Sequence, residues 1–202
     1  MSQTVWHRKF AAGFGTEKAL AATRNPGPPA PITWSPEEEG SGEAGVGDLG
    51  FVLGSFTADD AWELGHLLHA RLRPLAPARP ALISISLASG GGAALFEAAT
   101  GPGLTPDNAA WVARKRASAL RFGTSSWRLG RRFAGDEAAF AAKYGLGPES
   151  AGRFAIHGGA VPIRVVGVEG VVAVVVVSGL KQHEDHGVIV EVIRDHWVPI
   201  EG

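Results

Sequence analysis

The sequence predicts an α+β domain of two or three layers, an antiparallel sheet with helices packed on it. Three observations carry that expectation. Val171–Val177 is the most apolar segment of the chain, uncharged and β-branched apart from Ala173, the pattern of a strand buried on both faces. Val161–Val168 reads as a second strand, joined to the first by Val168-Glu169-Gly170, a turn short enough only for an antiparallel hairpin. Finally, Val188, Ile189, Val192 and Ile193 recur at helical spacing after a polar, His-rich corner that begins at Ser178-Gly179.

Taken in order, residues 1–47 look unlike a folded core. Asn25-Pro26-Gly27-Pro28-Pro29-Ala30-Pro31 and Pro36–Gly42 resist both helix and sheet pairing, so the segment is expected to be a flexible extension. Trp6, Phe10, Phe14 and Trp34 are more aromatics than a solvating tail needs, and leave room for a short docked piece. The domain is expected over residues 48–200, with Leu49–Phe56 as an apolar lead-in. Thr57-Ala58-Asp59-Asp60 supplies a helix start, Leu64, Leu67, Leu68 and Leu72 its buried stripe, and Pro74 its end.

Pro80–Ser89 alternates apolar and small polar residues as a strand does, and Gly90-Gly91-Gly92 turns it into a second strand near Ala94–Ala98. Thr105-Pro106-Asp107-Asn108 then sets an N-cap, a proline in the first turn and an acid beside it, which starts a helix to about Phe122. Two shorter helical pieces are expected at Ser125–Arg132 and Asp136–Tyr144.

Composition excludes several chemistries. The chain has 202 residues, a formal charge of -1 and no cysteine. Disulfides, thiolate metal sites and cysteine nucleophiles are therefore absent, and no general attraction for nucleic acid or an anionic membrane exists. No run approaches the length of a membrane span, and charged residues interrupt the first twenty positions, so a cytoplasmic protein is expected.

Three constellations offer chemistry. In Ser178–His186, His183 and His186 stand three apart at a helix start, where they would suit a metal or haem iron, while Glu184 and Asp185 suit the positive end of the helix dipole. A cap-and-turn role accounts for the same residues. Arg114-Lys115-Arg116 opens a basic stretch with seven basic residues and one acid between Thr105 and Ala134. Such a face pairs with phosphate or carboxylate groups, or is simply solvated. His157-Gly158-Gly159 lets backbone approach a ligand closely, or merely turns. Ser125, Ser126 and Ser178 are candidate nucleophiles with no histidine and carboxylate in a recognisable relation to them.

The strings DDAWELG from Asp59, LTPDNAAWVARKR from Leu104, RFGTSSW from Arg121, HGGAVPIRV from His157 and VSGLKQHEDH from Val177 resemble, in order and spacing, the haem-degrading-domain family. That GlcG/HbpS-like family includes the glycolate-operon G protein, an extracellular haem-binding sensor partner and the C-terminal part of a cobalamin adenosyltransferase. The likeness is to its cytosolic branch of unknown function. It implies a profilin-like antiparallel sheet of about five strands with helices on both faces, and self-association into dimers or larger rings. It also implies haem binding or degradation, while the basic helix and the Gly158-Gly159 turn would equally suit a small anionic ligand. His157, His183 or His186 would then be axial ligands and Arg114, Lys115 or Arg116 propionate partners, with Asn108, Gly158, Gly159 and Asp185 beside them. A relative in that branch partners tail-anchored-protein handling, which implies the alternative of a non-catalytic scaffold or adaptor.

Overall fold

The structure, a computed structural model, describes residues 4–32 and 47–201. Trp34 and the Pro36–Gly42 cluster lie outside the described residues. In chain order the elements are β1 (Thr4–Arg8), α1 (Phe14–Arg24), β2 (Phe51–Leu53), α2 (Ala58–Leu72), β3 (Leu82–Leu87), β4 (Ala94–Ala99) and α3 (Pro106–Phe122). There follow α4 (Ser126–Arg132), α5 (Glu137–Lys143), α6 (Pro148–Ala151), β5 (Ala160–Val165), β6 (Ala173–Ser178), α7 (Gln182–His196) and β7 (Trp197–Glu201).

β6 is the centre. Its valines leave no polar face, and the chain uses both sides of it. Val175 and Val177, with Ile83 and Ile85 of the neighbouring β3, pack against Leu64 and Leu68 of α2 and Ile189 of α7. Val174 and Val176 pack with Val112 and Ala119 of α3. Alternate side chains of a strand point to opposite faces, so a strand covered by helices on both sides must be apolar at every position. A third, aromatic cluster of Leu129, Phe140 and Ile156, with Phe122, Phe133 and Tyr144 against it, holds α4 and α5 beyond the end of α3.

The fold is α+β, one sheet with helices on it, and among the described residues the sheet has seven strands rather than about five, in the order β4-β3-β6-β5-β2-β1-β7. Nor is it wholly antiparallel. β2 runs parallel to both β5 and β1, because the helices between them return the chain to the same end of the sheet. The turn expected at Val168-Glu169-Gly170 is a longer loop over residues 166–172, since β5 ends at Val165 and β6 begins at Ala173.

The extra strands come from the chain's two ends. β1 is inserted between β2 and β7, with Thr4 opposite Glu201 and Arg8 opposite Trp197. Residues read from composition as a flexible extension therefore supply a strand and a helix. Two acids of α2 hold them: Asp60 pairs with Arg8 at 3.3 Å, and buried Glu63 accepts the backbone N–H groups of Gly13 and Gly15. Even the proline-rich connection is tied down, Arg71 donating to the Pro31 carbonyl at 2.6 Å.

Local signals place the helices where the sequence puts them. Thr57 caps α2 with a reciprocal bond from its own N–H to Asp60, and Thr105 does the same for α3 with Asn108. Replacing Glu63 by Ala leaves two N–H groups at the start of α1 without their carboxylate. It is expected to lower stability by about 1–3 kcal/mol in urea titration, with faster amide exchange in α1 and no change in α3.

Candidate functional site

The polar corner between β6 and α7 closes a cleft of about 300 Å³. Its floor is a buried ion pair. Lys115 projects from the face of α3 that carries Val112 and Ala119, so its stem runs into the core and its Nζ reaches Asp185 Oδ2 at 2.8 Å and the Val177 carbonyl at 3.3 Å. Both side chains are almost fully enclosed, 4% and 3% exposed. Asp185, on the first turn of α7, also accepts the Leu180 N–H at 2.9 Å through Oδ1. One charged bond thus ties α3, the end of β6 and α7 together.

The approach of these groups requires glycine at two adjacent positions. A Cβ on Gly159, whose φ is +122°, would meet the Val177 carbonyl and lie 2.8 Å from Lys115 Nζ and 2.9 Å from Asp185 Cβ. At Gly158 it would meet the Gln182 carbonyl and, at 2.8 Å, the Trp127 ring. The rim is made by Trp111, Asn108, His157 and Gln182. His157 stands edge-on to Trp111 at 4.9 Å and its Nδ1 lies 3.5 Å from Glu137 Oε1, while Arg114 lies 4.7 Å over the other ring.

Burial pushes the Asp185 carboxyl up from 3.8 to about 6, and the opposing pull of Lys115 only partly offsets it. His186 is driven the other way, down from 6.5 to about 3, by enclosure and then by the charge of Arg131. It is neutral, fully buried, and stacked 6.1 Å from Trp127.

The structure brings together Asn108, Lys115, His157, Ser178 and Asp185 at the cleft, with Gly158 and Gly159 at its base. It separates the rest. His183 is exposed while His186, three residues on, is sealed in the core, so the two do not share a ligand. The basic run fans out: Arg114 donates to the Phe154 carbonyl at 3.1 Å, whereas Arg116 donates to Ser86 Oγ and to the Leu87 carbonyl, both at 2.6 Å. Ser125 and Ser126 are buried structural hydroxyls, one capping α4 through the Arg128 N–H and the other accepting from the Ala160 N–H at 3.0 Å.

Trp111, Gln182 and Glu137 were missed as site residues. The signal for the ion pair was available: Lys115 lies at i+3 from Val112 and i−4 from Ala119, on the apolar stripe of its helix.

Residues 56–194 match the family described as Haem degrading protein HbpS-like. The chain belongs to that family. A UPF0303 protein of Streptomyces avermitilis is 46% identical over 143 residues, covering 71% of this chain and 82% of the relative. A UPF0303 protein of Burkholderia vietnamiensis is 39% identical over 149 residues, 74% and 84% of the two chains. Among solved structures, that of the Ybr137w protein superposes with TM-score 0.62 at 35% identity over 70% of this chain and 78% of its own. HbpS itself superposes with TM-score 0.50 at 16% identity, over 69% and 88%, and that likeness concerns the fold alone.

The family's name raises the question of haem, for which the residues present offer one cleft-lining histidine and no converging pair. Of the three candidate histidines only His157 lines the cleft, its Nδ1 3.5 Å from Glu137 Oε1, and His183 and His186 do not converge on it.

Two outcomes follow from the buried pair. Lys115→Ala, which leaves Asp185 enclosed and alone, is expected to cost about 3–5 kcal/mol, whereas Lys115→Met combined with Asp185→Leu recovers most of that loss in chemical denaturation. The stability conferred by protonated Asp185 is present below pH 3.8 and lost as pH rises through about 6. His186 acts oppositely, its contribution being lost as pH falls from 6.5 toward 3. The difference between wild type and Asp185→Asn isolates the first: the variant should gain on wild type across that window by on the order of 3 kcal/mol.

Proposed function

We propose that this chain is a small-molecule-binding member of its family whose cleft takes a small organic anion, a carboxylate above all, rather than haem. The observation that carries this reading is the state of Lys115. An ammonium group has three N–H donors, and two of them are directed at Asp185 and the Val177 carbonyl. That leaves a third for an acceptor bound in the cleft that Lys115 lines. Trp111 offers a flat apolar wall, and the amides of Asn108 and Gln182 offer donors for the rest of such a molecule. At about 300 Å³ the space lies at the lower end of the range for ligand pockets, suited to a small acid.

A homo-oligomer is part of the proposal. β7 lies at the outer edge of the sheet, where Val198 and Ile200 are 40% and 51% exposed. An edge strand with apolar side chains in water is a surface that another chain covers. The same observation favours the second reading, a non-catalytic scaffold or adaptor of the kind that partners tail-anchored-protein handling. No described helix is long and apolar enough to cross a membrane.

Calorimetric titration with carboxylates from acetate to benzoate, beside a haem titration followed by absorption and a mass measurement in solution, separates these readings. A saturable carboxylate response is expected, weakened at least about tenfold by Lys115→Met and also weakened by Asn108→Ala, which leaves the ion pair intact. A Soret band that His157→Ala diminishes would restore the haem reading. An assembly with no response to any carboxylate supports the scaffold.

A further inference from the structure

The polar groups of the β6–α7 cleft are committed in one direction. Asn108 Oδ1 already accepts the Thr105 N–H at 2.9 Å and the Thr105 hydroxyl at 3.3 Å. Gln182 Oε1 accepts the Gly158 N–H at 3.4 Å. A backbone N–H can only donate, so in both amides the oxygen is turned to the protein and the NH2 group points the other way. Asp185 is enclosed, with Lys115 on Oδ2 and the Leu180 N–H on Oδ1. Of the remaining polar side chains in the lining, Ser178 can donate or accept, and neutral His157 offers one nitrogen for each. The fixed hydrogens are therefore those of Lys115, Asn108 and Gln182, and the oxygens beside them are engaged.

Their order along the helix gives the occupant a shape. Asn108, Trp111 and Lys115 stand at i, i+3 and i+7 of α3 and share one stripe of it. Two turns put the outer Cα atoms about 10 Å apart, a span that side chains reaching inward reduce, and the indole lies between them. Gln182 and Asp185, at i and i+3, contribute from α7. Donor, flat ring, donor is the complement of a molecule with an acceptor at each end and an apolar plate in the middle.

The two ends differ. Lys115 is the one lysine or arginine among the described residues of the lining. Arg114, next along α3, is engaged by the Phe154 carbonyl and Glu137. Nothing beside Asn108 thus neutralises a second carboxylate, and its engaged oxygen leaves no place for an ammonium. A neutral carbonyl suits its NH2 group.

We propose that the cleft selects an oxo acid, with its carboxylate on Lys115, its flat apolar body on Trp111 and a remote carbonyl oxygen on the Asn108 amide hydrogens. The proposal rests on the reading of this cleft as a carboxylate site and narrows it to one class of acid.

Three benzoates that differ only at the para position test it by calorimetric titration of the full chain. The para-acetyl compound should bind about fivefold tighter than its para-isopropyl isostere, and the para-aminomethyl compound, a cation at that end, weakest. Asn108→Asp keeps an oxygen for Thr105, as Asp60 does for Thr57 at the start of α2, and puts a second oxygen where the NH2 was. It should place the aminomethyl compound above the acetyl one, while the isopropyl compound changes least; an unfolding midpoint no lower than that of wild type shows the cap intact. Equal binding of the acetyl and isopropyl compounds, or an order untouched by Asn108→Asp, with Lys115→Met still weakening all three, overturns this proposal alone. No binding of any of the three overturns the carboxylate reading and this proposal with it.

Discussion

A lysine and an aspartate sealed from water between α3 and α7 set the terms for everything around them. Two opposite charges in such a place lose several kcal/mol each in hydration, and only close contact and complete hydrogen bonding offset it. That requirement accounts for the neighbouring backbone. The Val177 carbonyl turns toward Lys115, the Leu180 N–H toward Asp185, and Gly159 gives up a side chain so that both can be reached. The pair is weak evidence for stability, since an apolar substitute would hold the helices as well. Its place at the floor of a cleft is the observation on which the proposed ligand site rests.

The parts of the fold that were legible in the sequence are those governed by neighbours in the chain. The valine run gave a strand buried on both faces because no residue in it tolerates water, and Val174–Val177 do pack alternately on two layers. Thr57 and Thr105 announced helix starts because their caps are closed by residues three positions on. β1 and β7 were not legible. Trp197–Glu201 contains a proline and follows a helix directly, and Thr4–Arg8 alternates too weakly to be told from a tail. β7 is a strand because β1 lies beside it, and β1 because it is held between β7 and β2.

The site divides the same way. The glycines, Ser178 and Asp185 were legible as a corner, since turn residues cluster where a buried strand meets a helix. The histidines misled, because spacing along a helix says which residues are neighbours and not which of them faces water: one turn of α7 puts His183 outside and His186 against Trp127. The basic run misled for a related reason. Consecutive residues on a helix point about 100° apart, so Arg114, Lys115 and Arg116 could never have formed one face, and each found a different partner.

The placement of β1 has a kinetic side. It pairs with β2 through Trp6 and Leu53 and with β7 along its whole length, the latter joining residues nearly two hundred positions apart. Contacts that distant in sequence form slowly, because a long loop must close before any bond rewards it. As the chain leaves the ribosome, this margin of the sheet is the last to be completed, and until Trp197 arrives one side of the first strand stays bare and open to pairing with a neighbouring nascent chain.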